Sequence, residues 1–274
     1  MERHTIFITG AASGIGRATA KRFGTSGWFV GAVDLDMQGL RSLEVELGAD
    51  NCFIATLDVT DKAAFDEVIG AFAEVTDGRL DILYNNAGIG ATGYFEDIPF
   101  EKTLDVVRVN LIGVLNGIHA ALPLLKQTPN SLCFSTSSSA ATYGAPRLAV
   151  YAATKFAVKG LTEALAVELS RCGVRAADVL PGLIDTPILR NSPMYVDGSE
   201  RASEGRTIGA NAPTEGPFRL IGPEEVAEAV WQAYESDRMH WYVPDEIEQI
   251  DKQKAASPEA MRDARIAMSQ AQRE

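Results

Sequence analysis

The feature that most limits the fold of this 274-residue chain is its alternation of short apolar runs with longer helical stretches. The runs are TIFIT (5–9), FVGAV (29–33), CFIAT (52–56), LDILYN (80–85), SLCFST (131–136), VRAADVL (174–180) and HWYV (240–243). Each is short and rich in β-branched or aromatic residues, as strands buried on both faces of a parallel sheet are. Helical patterning fills the intervals, over about 14–26, 38–47, 61–75, 101–126, 152–171 and 223–236. Pro223 suits a first helical turn, and the two glutamates after it favour the positive helix end. Strand alternating with helix predicts an α/β, doubly wound, seven-stranded and mainly parallel sheet with helices on both faces. No linker interrupts the pattern, so one domain is expected over 1–243, followed by a polar helical tail over 244–274. In that tail Ser257-Pro258-Glu259 has the form of a helix start, and Met261, Ala264 and Met268 make a narrow apolar stripe. Residues 183–222 break the rhythm with a Gly/Pro/Ser-rich stretch, read as a substrate lid, a binding loop or a disordered segment.

The first run leads into ITGAASGIGRAT, where Gly10, Gly14 and Gly16, with Ser13 and Ile15 among them, lie between strand and helix. Glycines there let backbone approach a pyrophosphate, and the helix N-terminus adds partial positive charge. A tight turn without a ligand is the alternative for any single glycine pattern. Context favours the phosphate reading: a strand before, a helix after, and an acid at the right distance. That acid is Asp34, in GAVDLD, 18 residues after Gly16. A carboxylate there accepts hydrogen bonds from adenosine ribose hydroxyls and repels a 2′-phosphate, and Leu35 rather than an arginine follows it. NAD is therefore expected over NADP. A solvated turn aspartate is the alternative, and Asp36 is a second carboxylate further into the turn.

In SSSAATYGAPRLAVYAATK (137–155), Tyr151 and Lys155 stand at i and i+4, stacked on one helical face. A free phenol titrates near ~10, too high for an efficient base at neutral pH. A nearby ammonium stabilises the phenolate, lowers that value and makes the pair a proton shuttle. YxxxK alone carries little weight, since many surface helices contain it. TGxxxGxG (9–16), NNAG (85–88), the Ser/Tyr/Lys set and PGLIDTP (181–187) follow in order, each at or just past the end of a predicted strand. That edge is where doubly wound sheets bind ligands.

On these motifs the chain resembles the short-chain dehydrogenase/reductase family, over roughly residues 5–243 and not over the polar tail. The resemblance implies a Rossmann-type fold, a nicotinamide cofactor, and hydride transfer between a secondary alcohol and a ketone. The family's serine precedes its tyrosine by thirteen positions, which gives Ser138, with Gly144 and Pro146 in step. By strand parity Ser137 and Ser139 point to the opposite face; a loop after residue 136 would spoil that parity, so Ser137 stays a second candidate. The resemblance further implies that Asn110, in VRVNLIG, holds a water for proton relay, and that Asp58 and Val59 contact adenine. Asn86, Ala87 and Gly88 would line the cofactor channel. Pro181, Gly182, Ile184 and Thr186 would hold the nicotinamide end. From the residues alone, Asn110 is a polar side chain entering an apolar helix, costly unless hydrogen-bonded. Asp58 also reads as a helix cap and Pro181-Gly182 as a turn. The competing functions are a non-catalytic NAD-binding regulator, an epimerase or dehydratase sharing YxxxK, and a carrier-protein-linked ketoreductase using NADPH.

Ile89, Tyr94, Tyr143, Leu189, Met194, Tyr195 and Phe218 are the expected substrate walls, and they suggest an apolar alicyclic, aromatic or steroid-like alcohol. Arg147 and Arg190 are the cations near them in sequence. The 37 acidic residues outnumber the 25 Lys plus Arg, giving a net charge of −12 that disfavours nucleic acid and anionic membrane surfaces. Cys52, Cys133 and Cys172 form no CxxC pair, and His4, His119 and His240 are scattered, so reduced thiols, no metal site and a cytoplasmic location are expected. Neither a signal-peptide core nor an uninterrupted apolar run of membrane-spanning length is expected. Residues 111–125 and 156–169 are apolar nearly all round, and the sheet covers one side only. A second subunit over the other side predicts a homo-oligomer, dimer or tetramer; cover by the chain's own tail is the alternative.

Overall fold

A computed structural model of the chain describes residues 3–201 and 212–271, with side chains described to residue 267. The apolar runs form strands β1 (Thr5–Thr9), β2 (Phe29–Asp34), β3 (Cys52–Thr56), β4 (Ile82–Asn85), β5 (Leu132–Thr136) and β6 (Arg175–Pro181). Two short pieces, β7 (Leu183–Ile184) and β10 (Leu220–Ile221), pair in parallel, and β8 (Met194–Val196) with β9 (Ser199–Arg201) makes an antiparallel hairpin. The last strand of the main sheet is β11 (His240–Val243). The main sheet has seven strands in the order β11-β6-β5-β4-β1-β2-β3, every pairing parallel. The chain runs outward from β1 on one side and from β4 on the other. The two strands lie side by side, so the order reverses there and a crevice opens beyond their C-terminal ends.

Period-two alternation divides the core. Ile6 and Ile8 of β1 face a cluster with Phe23, Leu40 and Val226, from helices α1 (Gly14–Gly24), α2 (Met37–Leu47) and α8 (Pro223–Tyr234). Phe7, between them, faces the other cluster with Phe65, Leu125 and Val158, from α3 (Lys62–Val75), α5 (Gly113–Gln127) and α6 (Ala149–Ser170). Both faces of β1 are therefore buried, which is why its sequence shows no polar alternation.

Two expectations are corrected. The helix expected over 101–126 is α4 (Phe100–Val107), a π turn (Arg108–Ile112) and then α5, because Asn110 in that turn bonds laterally to the main chain of Ile89. Residues 100–127 are long and apolar enough to cross a membrane by length and composition, yet Val114, Ile118, Ala121 and Leu125 pack into the core under the sheet. The stretch 183–222 carries β7, a short helix α7 (Pro187–Asn191), the β8–β9 hairpin and β10. Asp197 and Gly198 turn that hairpin with φ of 51° and 72°, a pairing the sequence reading took only for loop composition. Its residues 202–211 lie outside the described residues.

The tail folds into α9 (Ile247–Ala256) and α10 (Pro258–Ala271), the latter starting where Ser257-Pro258 predicts. Ile247 is fully buried against Leu180 and Tyr242. The expected apolar stripe is poorly covered: Met261 is half-buried, Ala264 exposed, and the Met268 side chain lies outside those described.

Candidate active site

A cleft of about 770 Å³ lies across the C-terminal ends of β1, β2, β4, β5 and β6. It is lined by every sequence-predicted site residue except Gly16 and Asn110. At one end is the turn between β1 and α1. Gly10 and Gly14 hold φ of 68° and 52°, the left-handed region that favours glycine. Gly16 stands behind the turn: a Cβ there would lie 2.1 Å from the Gly10 carbonyl oxygen, so the position requires glycine for packing. Ser13 caps α1 in extended conformation without a capping bond from its hydroxyl.

Asp34 is held rather than loose. One carboxylate oxygen accepts from the Ala12 N–H at 3.0 Å and the other from the Asp36 N–H at 3.1 Å. Its neighbour Leu35 is exposed on the cleft wall. Asp36, the alternative carboxylate, instead caps α2 by accepting from the Gly39 N–H at 3.0 Å. Asp58 accepts from the N–H and hydroxyl of Thr60 at 2.9 and 2.8 Å, whereas α3 is capped by Asp61; the cap reading of Asp58 is thereby replaced.

The NNAG turn is pinned from beneath. The Thr9 hydroxyl oxygen accepts from the N–H groups of Asn86 and Ala87, both at 3.0 Å. The Asn86 amide donates to the Thr9 carbonyl at 3.0 Å, and its oxygen accepts from the Thr136 hydroxyl at 3.2 Å. Thr9 and Thr136 thus fix the floor of the cleft, and sequence reasoning assigned neither a role. Their signal is position alone: each is the last residue of a strand that enters a motif.

Asn110 is fully buried. Its oxygen accepts from the Ile89 N–H at 2.8 Å and its amide donates to the Ile89 carbonyl at 2.9 Å. That reciprocal pair removes the cost of a polar side chain in an apolar helix, and commits the side chain to the main chain beside Gly88.

The helix spacing stacks Tyr151 and Lys155, whose ammonium lies 5.7 Å from the centre of the Tyr151 ring. Lys155 is 3% exposed and donates to the Thr136 carbonyl at 2.8 Å. Burial pushes its ammonium down to about 8, with the Asp178 carboxylate acting in the opposite sense. Burial also holds the Tyr151 phenol above its ordinary value, and its hydrogen bond with Ser138 works against that shift. In the ligand-free protein desolvation is the larger influence on the phenol, and the Lys155 ammonium is turned to the Thr136 carbonyl.

Ser138 is extended, 8% exposed, and accepts from the Ala140 N–H at 3.1 Å at the start of a short helical turn. Ser137 donates to the Lys155 carbonyl at 2.9 Å, so the second candidate serine serves to join β5 to α6. On the opposite wall Pro181, Gly182, Ile184 and Thr186 follow β6. Thr186 donates to the Ile184 carbonyl at 3.2 Å and packs against the glycine turn, where a Cβ at Gly14 would lie 3.1 Å from its methyl group.

Of the expected substrate walls, Ile89, Tyr143, Leu189 and Phe218 line the cleft, joined by Leu148, and Arg147 lines it too. Tyr94, Met194 and Tyr195 do not. Tyr195 is 3% exposed in a small core with Ala91, Ile98 and Val106, Met194 is buried on the hairpin, and Tyr94 faces outward. Arg190 pairs with Asp185 away from the lining. A further group missed in the sequence is Asp178, fully buried on β6 and bonded at 2.6 Å to His240, whose other ring nitrogen is 3.3 Å from Glu163. Among the described residues no group of three or more His, Cys, Asp or Glu is placed to hold a metal ion.

A family model described as short chain dehydrogenase matches residues 4–194. The chain is 39% identical over 189 residues to the 2,5-dichloro-2,5-cyclohexadiene-1,4-diol dehydrogenase LinX of Sphingobium indicum, which covers 68% of this chain and 75% of that one. It is 34% identical over 236 residues to the probable oxidoreductase EphD of Mycobacterium tuberculosis, covering 83% of this chain but only 39% of EphD's length. Among solved structures, 3-ketoacyl-(acyl-carrier-protein) reductase from Brucella melitensis, complexed with NADH, superposes with a TM-score of 0.75 at 30% identity, over 88% of this chain and 97% of that one. Sheet order, glycine turn and the Ser/Tyr/Lys set in one cleft agree with the sequence match, and the chain belongs to the short-chain dehydrogenase family.

Proposed function

We propose that the protein is an NAD-dependent oxidoreductase interconverting a secondary alcohol and a ketone. The observation that carries this reading is the single cleft joining the glycine turn to Ser138, Tyr151 and Lys155. The residues fit a dinucleotide: Gly10 and Gly14 keep a cradle open at the start of α1, and a fixed carboxylate, Asp34, stands at the end of β2. Ser13, Gly14 and Ile15 would hold the pyrophosphate, Asp34 and Leu35 the adenosine ribose, Asp58 and Val59 the adenine. Asn86 to Gly88 would flank the nicotinamide ribose, and Pro181, Gly182, Ile184 and Thr186 the carboxamide end. When bound, the cofactor supplies the acceptor or donor for a hydride.

The remaining chemistry is this chain's own. In oxidation the C–H electron pair leaves with the hydride while the hydroxyl proton passes to the Tyr151 oxygen. Ser138 donates a hydrogen bond to the substrate oxygen and holds it beside Tyr151. The Lys155 ammonium, one turn on, favours the phenolate electrostatically. Acid–base assistance of this kind is worth ~10²–10⁴-fold in rate. Asn110, through Ile89, holds the turn after Gly88 in place. Asp34 favours NAD, since its carboxylate repels a 2′-phosphate. The walls from Ile89, Tyr143, Leu148, Leu189 and Phe218 suit an alicyclic or aromatic body. A homo-oligomer is supported by the exposure of Ile112 (40%) and Val167 (76%) on the greasy helices.

The test is a panel of alicyclic and aromatic secondary alcohols, followed by the absorbance of reduced nicotinamide, with NAD and with NADP. Turnover is expected with NAD, and Tyr151→Phe keeps NADH binding while losing about 10²–10⁴-fold in turnover. Undiminished turnover in that variant removes Tyr151 from the chemistry, and a preference for NADP overturns the role of Asp34.

A further inference from the structure

Charge inside the cleft is unevenly matched. Its acidic lining residues among those described, Asp34 and Asp58, both lie at the adenosine end. Its cations are Lys155, engaged by the Thr136 carbonyl, and Arg147. Arg147 has no carboxylate partner among the described residues, and its Nε is buried without any hydrogen-bond partner. The contact its guanidinium does make is with the Tyr94 ring, 5.7 Å away. Native proteins seldom leave a buried donor orphaned without a functional reason. The neighbouring arginines do not share this state: Arg190 is paired with Asp185, Arg219 with Glu246, and Arg265, which does not line the cleft, lies 3.9 Å from the Tyr143 ring centre.

The backbone adds an independent observation. Arg147 has φ of 67°, a left-handed conformation that glycine adopts freely and a long side chain adopts only at a cost. The main chain there is tied down, its carbonyl accepting from the Gly93 N–H at 3.0 Å. A residue held in an unfavourable conformation, four positions before Tyr151, thus lines the cleft, with its guanidinium beside the exposed Tyr94 ring.

We propose that Arg147 binds an anionic group of the substrate, a carboxylate carried on an apolar alicyclic or aromatic body. This rests on the reading of the cleft as an alcohol/ketone site. The guanidinium fork matches a carboxylate bidentately. A single unpaired cation among apolar walls offsets one negative charge. A dianion would leave a net charge in a desolvated site, which is unfavourable. The substrate is then a hydroxy acid or keto acid whose reacting carbon lies near Ser138 and Tyr151, with its carboxylate toward Arg147.

The experiment uses the full chain saturated with NADH. Calorimetry measures binding of cyclohexanecarboxylate and of its neutral isostere cyclohexanecarboxamide to the wild type, to Arg147→Gln and to Arg147→Gly. In the wild type the carboxylate is expected to bind roughly 10- to 100-fold tighter than the amide, the range for a hydrogen bond to a charged group. Both variants are expected to lose that preference. Arg147→Gly suits the backbone, so its melting temperature should not fall, which separates lost recognition from lost folding. Equal binding of the two probes, no carboxylate binding at millimolar concentration, or a preference that survives Arg147→Gly overturns the proposal. If NADH binds and neutral alcohols turn over in the wild type, the oxidoreductase reading survives that result; failure of NADH to bind removes the oxidoreductase reading itself.

Discussion

Lys155 places an ammonium where water is nearly absent, and that has a thermodynamic signature. Its ordinary value of 10.5 falls to about 8 in the folded protein, while the unfolded chain keeps the ordinary value. The gap corresponds to about 3 kcal/mol of differential stability, at 1.36 kcal/mol per pH unit. The folded-state value is the lower one, so between about pH 8 and 10.5 the unfolded chain holds a proton that the folded chain has released. Stability therefore rises with pH across that window. Below about 8 both states are protonated and the penalty is fully present. Lys155→Met removes the charge at similar volume but orphans the Thr136 carbonyl, which costs about 1–3 kcal/mol at every pH. The two effects nearly offset at pH 7, so the slope is the clean readout. Urea unfolding of the ligand-free protein at pH 7, 8, 9 and 10 should show the wild type gaining on the variant by about 2–3 kcal/mol over that range. Asp178 is the charge that opposes the fall, so Asp178→Asn should open the window at lower pH. Parallel stability curves for wild type and Lys155→Met would refute a buried ammonium at this position.

Gly16→Ala places a Cβ 2.1 Å from the Gly10 carbonyl and 2.7 Å from the Asn86 amide, so the glycine turn must move. Overpacking of this kind costs about 1–3 kcal/mol, or roughly 2–12 °C in melting temperature for a chain of this size, and NADH binding should weaken with it; unchanged melting and unchanged affinity would contradict the packing. Val167→Glu puts a charge on an apolar helix face that is 76% exposed at that residue. Light scattering should show the wild type as an oligomer and the variant shifted toward monomer, and a monomeric wild type would end the oligomer proposal.

Local pattern carried much of this molecule. Each of the seven apolar runs became a strand of the main sheet, with its ends displaced by two residues at most, because a strand buried on both faces cannot hide its composition. Gly10 and Gly14 were legible because the turn needs backbone that other residues avoid. Tyr151 and Lys155 were legible because one turn of helix stacks them whatever surrounds them.

What surrounds them was not legible. How far Tyr151 is desolvated depends on segments far apart in the chain, and that burial holds its phenol above the ordinary value in the ligand-free protein. Tyr94, Met194 and Tyr195 have the composition of a substrate wall, but Met194 and Tyr195 are buried on the β8–β9 hairpin and Tyr94 is exposed before a short helical turn, and none of them lines the cleft. Asn110 reads as a costly polar intrusion until Ile89, twenty-one residues away, satisfies it. The sequence by itself determined the order of strands and helices and the motifs at their ends, since these follow from periodicity and backbone freedom within a few residues. Only the tertiary structure decided which side chains are dry, which are paired and which, like the Nε of Arg147, are buried without a hydrogen-bond partner, since burial and pairing are set by residues that are neighbours in space alone.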